Sequence, residues 1–138
     1  MKQFLISLSV TLCLCFLSCD FSSKKNNHTY TLESDGRLQV KDSRYILGEV
    51  LKSKGDSIEF IFNLKNCADS LIIIKKVDVS CGCISIIESP DSIFPNMNAK
   101  LKGVVNIKNQ HGHLNKSIFV NYGRNSILLL RIIGDIIE

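Results

Sequence analysis

Beyond residue 36 the chain alternates apolar and polar residues in short runs, each closed by turn-forming residues. A period of two is the mark of a strand with one face on a core. Arg37-Leu38-Gln39-Val40-Lys41 is the first such run, and Tyr45 to Leu51 is the second. Gly48 interrupts the second, where a glycine marks a bulge or a close backbone approach. After the turn Lys54-Gly55-Asp56, the run Ile58 to Leu64 sets Ile58, Phe60, Phe62 and Leu64 on one face. Lys65-Asn66-Cys67-Ala68-Asp69 then turns the chain into the long apolar run Leu71 to Val79, and the two runs are expected to form an antiparallel hairpin. The second run changes phase: Ile72 and Ile74 share one parity, Val77 and Val79 the other. A β-bulge at Lys75-Lys76 would return both pairs to one face.

Further runs follow at Ile84 to Ile87, Leu101 to Ile107, Lys116 to Tyr122 and Ile127 to Ile133, separated by Ser89-Pro90-Asp91, Pro95-Asn96-Met97-Asn98, His111-Gly112-His113 and Tyr122-Gly123-Arg124. Leu101, Val105 and Ile107 should face inward, as should Ile118, Val120 and Tyr122. The nearly unbroken apolar run Ile127 to Ile133 belongs in a central strand or one covered on both sides. No stretch outside the N-terminus shows 3.6-residue periodicity with caps. The pattern predicts an all-β, antiparallel sandwich of seven or eight strands over residues 37–138.

The N-terminus follows different rules. Lys2 precedes a charge-free apolar run from Phe4 to Leu17, which suits a signal-peptide core better than a membrane span of about 20 residues. The run ends in Phe16-Leu17-Ser18-Cys19, which resembles a bacterial lipoprotein cleavage box and makes Cys19 the expected lipidation site. Residues 1–18 are then a signal peptide and residues 19–36 a polar tether too poor in apolar groups to form a core. This places the protein in the cell envelope, anchored to a bacterial membrane and facing the periplasm. The full chain of 138 residues carries 17 basic and 13 acidic side chains, spread without a basic stripe. That distribution argues against nucleic acid as a partner.

Several segments resemble a bacterial family known as domain of unknown function 1573. They are Leu47-Gly48-Glu49-Val50, Phe62-Asn63-Leu64-Lys65-Asn66, Leu71-Ile72-Ile73, Ser80-Cys81-Gly82-Cys83, Leu114 to Asn121 after Gly112, and Ile133-Gly134-Asp135-Ile136. The resemblance covers about residues 38–137 and implies an immunoglobulin-like sandwich, frequent in lipoproteins and related to the ASPM/SPD-2/Hydin group. It implies no catalytic mechanism. Asn96 departs from the family pattern, where a glycine commonly follows the proline, and so does Cys67, where a small hydroxyl residue is common.

Cys81-Gly82-Cys83 is the one constellation with chemical potential. In an extended segment residues two apart share a face, and Gly82 would permit a tight turn at positive φ. Three outcomes are open: an easily reduced disulfide, a two-thiolate site for a soft metal such as Cu(I), or two small side chains packed as hydrophobes. A zinc site would need Cys81, Cys83, His111 and His113 to converge from two loops. Cys67 is expected to stay a free thiol: in the expected hairpin it lies in the turn, and about ten strand steps of about 3.3 Å, from Leu71 to Cys81, separate that turn from Cys81, far beyond disulfide reach. Asp56-Ser57-Ile58, Asp69-Ser70-Leu71 and Asp91-Ser92-Ile93 resemble an O-glycan acceptor pattern and are also ordinary turn chemistry. No nucleophile–base pair or phosphate loop is present, so neither an enzyme nor a cofactor is expected. Two functions remain: a non-catalytic binding or assembly module for an envelope protein or glycan, or a thiol redox or soft-metal-handling lipoprotein acting through Cys81 and Cys83.

Overall fold

The computed structural model describes residues 35–138. The expected signal peptide, Cys19 and most of the expected tether lie outside the described residues. The rest forms nine strands: β1 (Leu38–Val40), β2 (Arg44–Leu51), β3 (Ser57–Asn66), β4 (Ile72–Val79), β5 (Ile84–Glu88), β6 (Ser92–Ile93), β7 (Asn98–Asn106), β8 (Gly112–Tyr122) and β9 (Ser126–Ile137). The one helical element among them is a 3-10 turn at Lys52–Lys54. One sheet has the order β1-β3-β7-β5 and the other β2-β9-β8-β4-β6.

Alternation builds the core. Phe60, Phe62 and Leu64 of β3, Leu101 and Val105 of β7, Ile118, Val120 and Tyr122 of β8, and Leu128, Leu130 and Ile132 of β9 are all buried between the sheets. Tyr45 sets its ring edge-on to Phe60 and Phe62, with centroids 6.3 and 6.0 Å away. The two expected bulges are present, one between Ile74 and Lys76 and one between Ile46 and Gly48. Gly48 has φ 68° there. Opposite it, a Cβ on Gly134 would lie 2.7 Å from Leu47 Cβ, so the bulge requires glycine on both strands.

Three expectations change. β3 and β4 do not form a hairpin: β3 lies between β1 and β7, whereas β4 pairs with β8 and β6 in the opposite sheet. A five-residue connection carries the chain across the sandwich instead of back along the same sheet. The strands number nine because the two-residue β6 is too short to show a period, and one pair, β2 with β9, is parallel. The domain also begins before residue 37. The Asp35 carboxylate accepts hydrogen bonds from Arg37 N and Nε at 3.0 and 2.6 Å, from the Tyr122 hydroxyl at 2.7 Å and from Ser126 Oγ at 2.8 Å. These tie the chain entry to the β8–β9 hairpin.

Candidate functional site

The Cys81 turn is built by the ends of three strands. β4 delivers Ser80 against β8, where its N–H donates to Ser117 O and its hydroxyl accepts from Ser117 N, both at 2.9 Å. Ile84 N closes a tight turn onto Cys81 O at 3.3 Å, and Asn106 N of β7 donates to Cys83 O at 2.7 Å. The turn therefore bridges the two sheets. Cys81 and Cys83 are joined by a disulfide with their Cα atoms 5.2 Å apart, and both half-buried side chains pack on the core. The expectation of a positive φ at Gly82 is not met, since the glycines in that region are Gly36, Gly48, Gly55, Gly112 and Gly123. A Cβ at Gly82 would meet no atom within 4 Å. The bare glycine fronts a cleft of about 320 Å³ shared with Asn106, Lys108, Asn109 and Gln110.

No metal site forms around this turn. His111 Nδ1 faces Lys52 Nζ at 2.9 Å and Glu138 at 3.3 Å, and His113 Nδ1 faces Asp135 at 2.9 Å. Among the described residues no group of three or more His, Cys, Asp or Glu is placed to hold a metal ion. Cys67 is free and exposed. Ser57, Ser70 and Ser92 of the three Asp-Ser-aliphatic tripeptides are all exposed.

The opposite end of β4 holds a surface that the alternation rule passed over. Ile72 pairs with Ile93 and Ile73 with Ser92, and Leu71 and Phe94 flank the first of these pairs in the chain. Phe94-Pro95-Asn96-Met97 is a turn closed by Met97 N to Phe94 O at 3.1 Å. Asn96 takes φ 60°, the conformation a type II turn demands after proline and one that asparagine tolerates. Its departure from the family's glycine is thereby explained. Leu71, Ile73, Phe94 and Met97 keep 45, 56, 66 and 58 % of their surface exposed.

Asn66 holds this surface in place. It is fully buried; its Nδ2 donates to Ser70 O and to Ile93 O, and its Oδ1 accepts from Ala68 N, each at 2.8 Å. Its backbone N–H donates to Met97 O at 3.0 Å. One side chain thus ties the β3–β4 connection to β6 across the sandwich. The sequence shows Asn66 only as a turn residue. Its place directly after the strict alternation of β3, on the inward parity, is the signal that could have revealed it.

A family model described as "Protein of unknown function (DUF1573)" matches residues 38–136. The chain belongs to this family. None of the curated proteins compared with the chain matches it. Among solved structures it is similar to a protein of unknown function from Porphyromonas gingivalis W83, with TM-score 0.62 and 11 % identity over 80 % of this chain and 51 % of that one. The Vibrio cholerae VesB protease gives TM-score 0.60 and 13 % identity over 72 % of this chain and 32 % of that one. An ASH/PapD-like domain of human CEP192 gives TM-score 0.52 and 13 % identity over 74 % of this chain and 86 % of that one. The chain thus spans about half of the first of these proteins and a third of the second. At such identities the likeness shows the fold alone, an immunoglobulin-like sandwich.

Proposed function

We propose that this protein is an envelope lipoprotein, anchored through acyl chains on Cys19 and facing the periplasm, whose immunoglobulin-like domain is a non-catalytic binding or assembly module. The observation that carries the binding reading is the exposed apolar surface of Leu71, Ile73, Phe94 and Met97 on a turn fixed by the buried Asn66. Large exposed apolar side chains gathered on one strand end and its neighbouring turn suit an interaction site. A large apolar side chain yields about 1.5–3 kcal/mol on full burial, so covering these four yields on the order of 5 kcal/mol. Association itself costs about 4–15 kcal/mol. The surface therefore anchors a partner, and contacts elsewhere must supply the remaining affinity. Capture from detergent-solubilised envelope tests the reading. Wild-type protein should retain a saturable partner that Phe94→Asp/Met97→Asp loses. Equal capture by both would remove the surface from the account.

The polar segment after Cys19, with the charge-free run before it, supports the anchor. Labelled palmitate should enter the wild type and not Cys19→Ala, and equal incorporation would contradict it. The competing thiol reading rests on the Cys81–Cys83 disulfide. Among the described residues that turn has no helix N-terminus beside it of the kind that lowers a thiol pKa, and we assign the bridge to the architecture of the turn.

A further inference from the structure

β1 covers only the last three residues of β3: Val40 pairs with Leu64, Gln39 with Lys65 and Leu38 with Asn66. The chain then leaves for the opposite sheet, and among the described residues β3 continues without a neighbour on that side from Ser57 to Asn63. The direction of each backbone group follows from three bonds. Asn66 N donates to Met97 O at 3.0 Å and Ile107 N to Asp56 O at 2.8 Å, so even-numbered residues of β3 face β7, whereas Cys67 N donates to Arg37 O at 2.7 Å on the β1 side. In an antiparallel ladder alternate residues direct their N–H and C=O to opposite sides. The N–H and C=O of Ser57, Glu59, Ile61 and Asn63 therefore point outward along an edge that no other described strand covers.

Natural sheets blunt such edges with bulges and lysines. The free edge of β4 carries both, a register shift at Lys75 and the Lys75-Lys76 pair. The free edge of β5 has a shift at Ile87. The open stretch of β3, Ser57 to Asn63, has neither: it contains no lysine, and the pairing of β3 with β7 runs unbroken from Ser57 to Lys65. Beside this edge, where the chain crosses from β1 to β2, lies a cleft of about 410 Å³ whose lining includes Lys41, Arg44, Tyr45, Ile46, Ile61 and Phe62. Val40, Tyr45, Ile46, Ile61 and Phe62 supply its apolar lining, and among its charged lining residues Lys41 and Arg44 outnumber Asp42.

We propose that the outer edge of β3, from Ser57 to Asn63, binds an extended strand of a partner protein, with an apolar side chain in the cleft and acidic residues beside Lys41 and Arg44. The four outward residues offer eight backbone hydrogen-bonding groups, and strand addition to an open edge uses backbone bonds for affinity and alternate side chains for choice of partner. The proposal rests on the binding-module reading and names its mode of engagement.

The test uses random octapeptides displayed on phage and selected against the detergent-solubilised full-length protein. Enriched peptides should alternate apolar with polar residues and carry acidic ones. Backbone N-methylation of a selected peptide at residues of one parity should weaken binding at least about tenfold, and at the other parity should leave it unchanged. On the protein, Ile61→Pro and Glu59→Pro remove an outward N–H without touching the β7 ladder, as proline permits on an edge. Each should weaken the peptide at least about tenfold, with circular dichroism confirming the fold. If both proline variants unfold, the parity of the N-methyl effect decides alone. The proposal is overturned by a selection that enriches nothing, by equal effects of both parities, by proline variants that fold and bind normally, or by an edge already occupied through a second copy of the chain. Loss of the peptide result with Phe94-dependent capture intact removes only this edge. Loss of both removes the binding reading itself.

Discussion

Replacing Asn66 with alanine should damage this domain more than any surface change, and the structure gives the size of the effect. The substitution removes three hydrogen bonds of 2.8 Å, to Ser70 O, Ile93 O and Ala68 N. At a net value of about 1 kcal/mol each, that is about 3 kcal/mol, and the Ile93 carbonyl left in a buried site adds on the order of 1 kcal/mol. For a domain of this size the loss of about 4 kcal/mol corresponds to a fall in Tm of roughly 15–25 °C. Asn66→Asp tests the same point without shortening the side chain: it keeps an acceptor for Ala68 N but loses both donations and places a charge in the core. Urea and thermal denaturation of wild type and both variants measure the effect. A loss below about 1 kcal/mol in both would mean that the connection and β6 are held by their own backbone bonds and not by Asn66.

Other outcomes follow from the same structure. Gly103→Ala would bring a Cβ to 2.5 Å from the Phe60 ring and 2.6 Å from Ser85 O; overpacking of that kind costs about 1–3 kcal/mol, measurable by urea denaturation. Partial desolvation tends to raise the Asp35 pKa, but the hydrogen bonds from Arg37, Tyr122 and Ser126 outweigh it and hold the carboxyl well below its usual 3.8. A depressed folded-state pKa contributes stability that is present above the unfolded value and lost as pH falls through the folded one. The Tm advantage of wild type over Asp35→Asn should therefore be full at pH 6 and shrink steadily below about pH 4. A pH-independent gap would contradict the clasp. Cys81→Ala/Cys83→Ala removes a bridge closing only a three-residue loop, worth about 1.5 kcal/mol on loop entropy. Urea denaturation should show that modest loss, and partner capture should be unchanged.

Most of the fold was legible because one face of nearly every strand is buried. Phe60, Phe62 and Leu64 gave a parity that only a core explains, and the phase change after Ile74 announced a bulge that the structure contains. Pairing was less legible. Nothing in Ile58–Leu64 and Leu71–Val79 distinguishes a return along one sheet from a crossing to the other, since both demand an inward apolar face and a short connection. The Asn66 amide joins the two sheets through a long-range contact to Ile93 that no local window contains. The Cys81–Cys83 turn was legible as a site, but its state was not: spacing allows a bridge, a metal or simple packing alike. The open β3 edge was hidden because it follows from where β1 stops, and Val40-Lys41 carries no mark of that end.

The most direct measurement of the central claim places a photo-crosslinking phenylalanine analogue at Phe94 of the full-length protein in its own cells, with Lys54 at the exposed 3-10 turn as the control position. A discrete crosslinked species is expected at position 94, absent at position 54 and unchanged when Cys81 and Cys83 are alanine. No discrete species at position 94, equal products at both positions, or a species that vanishes with the cysteines would contradict that claim.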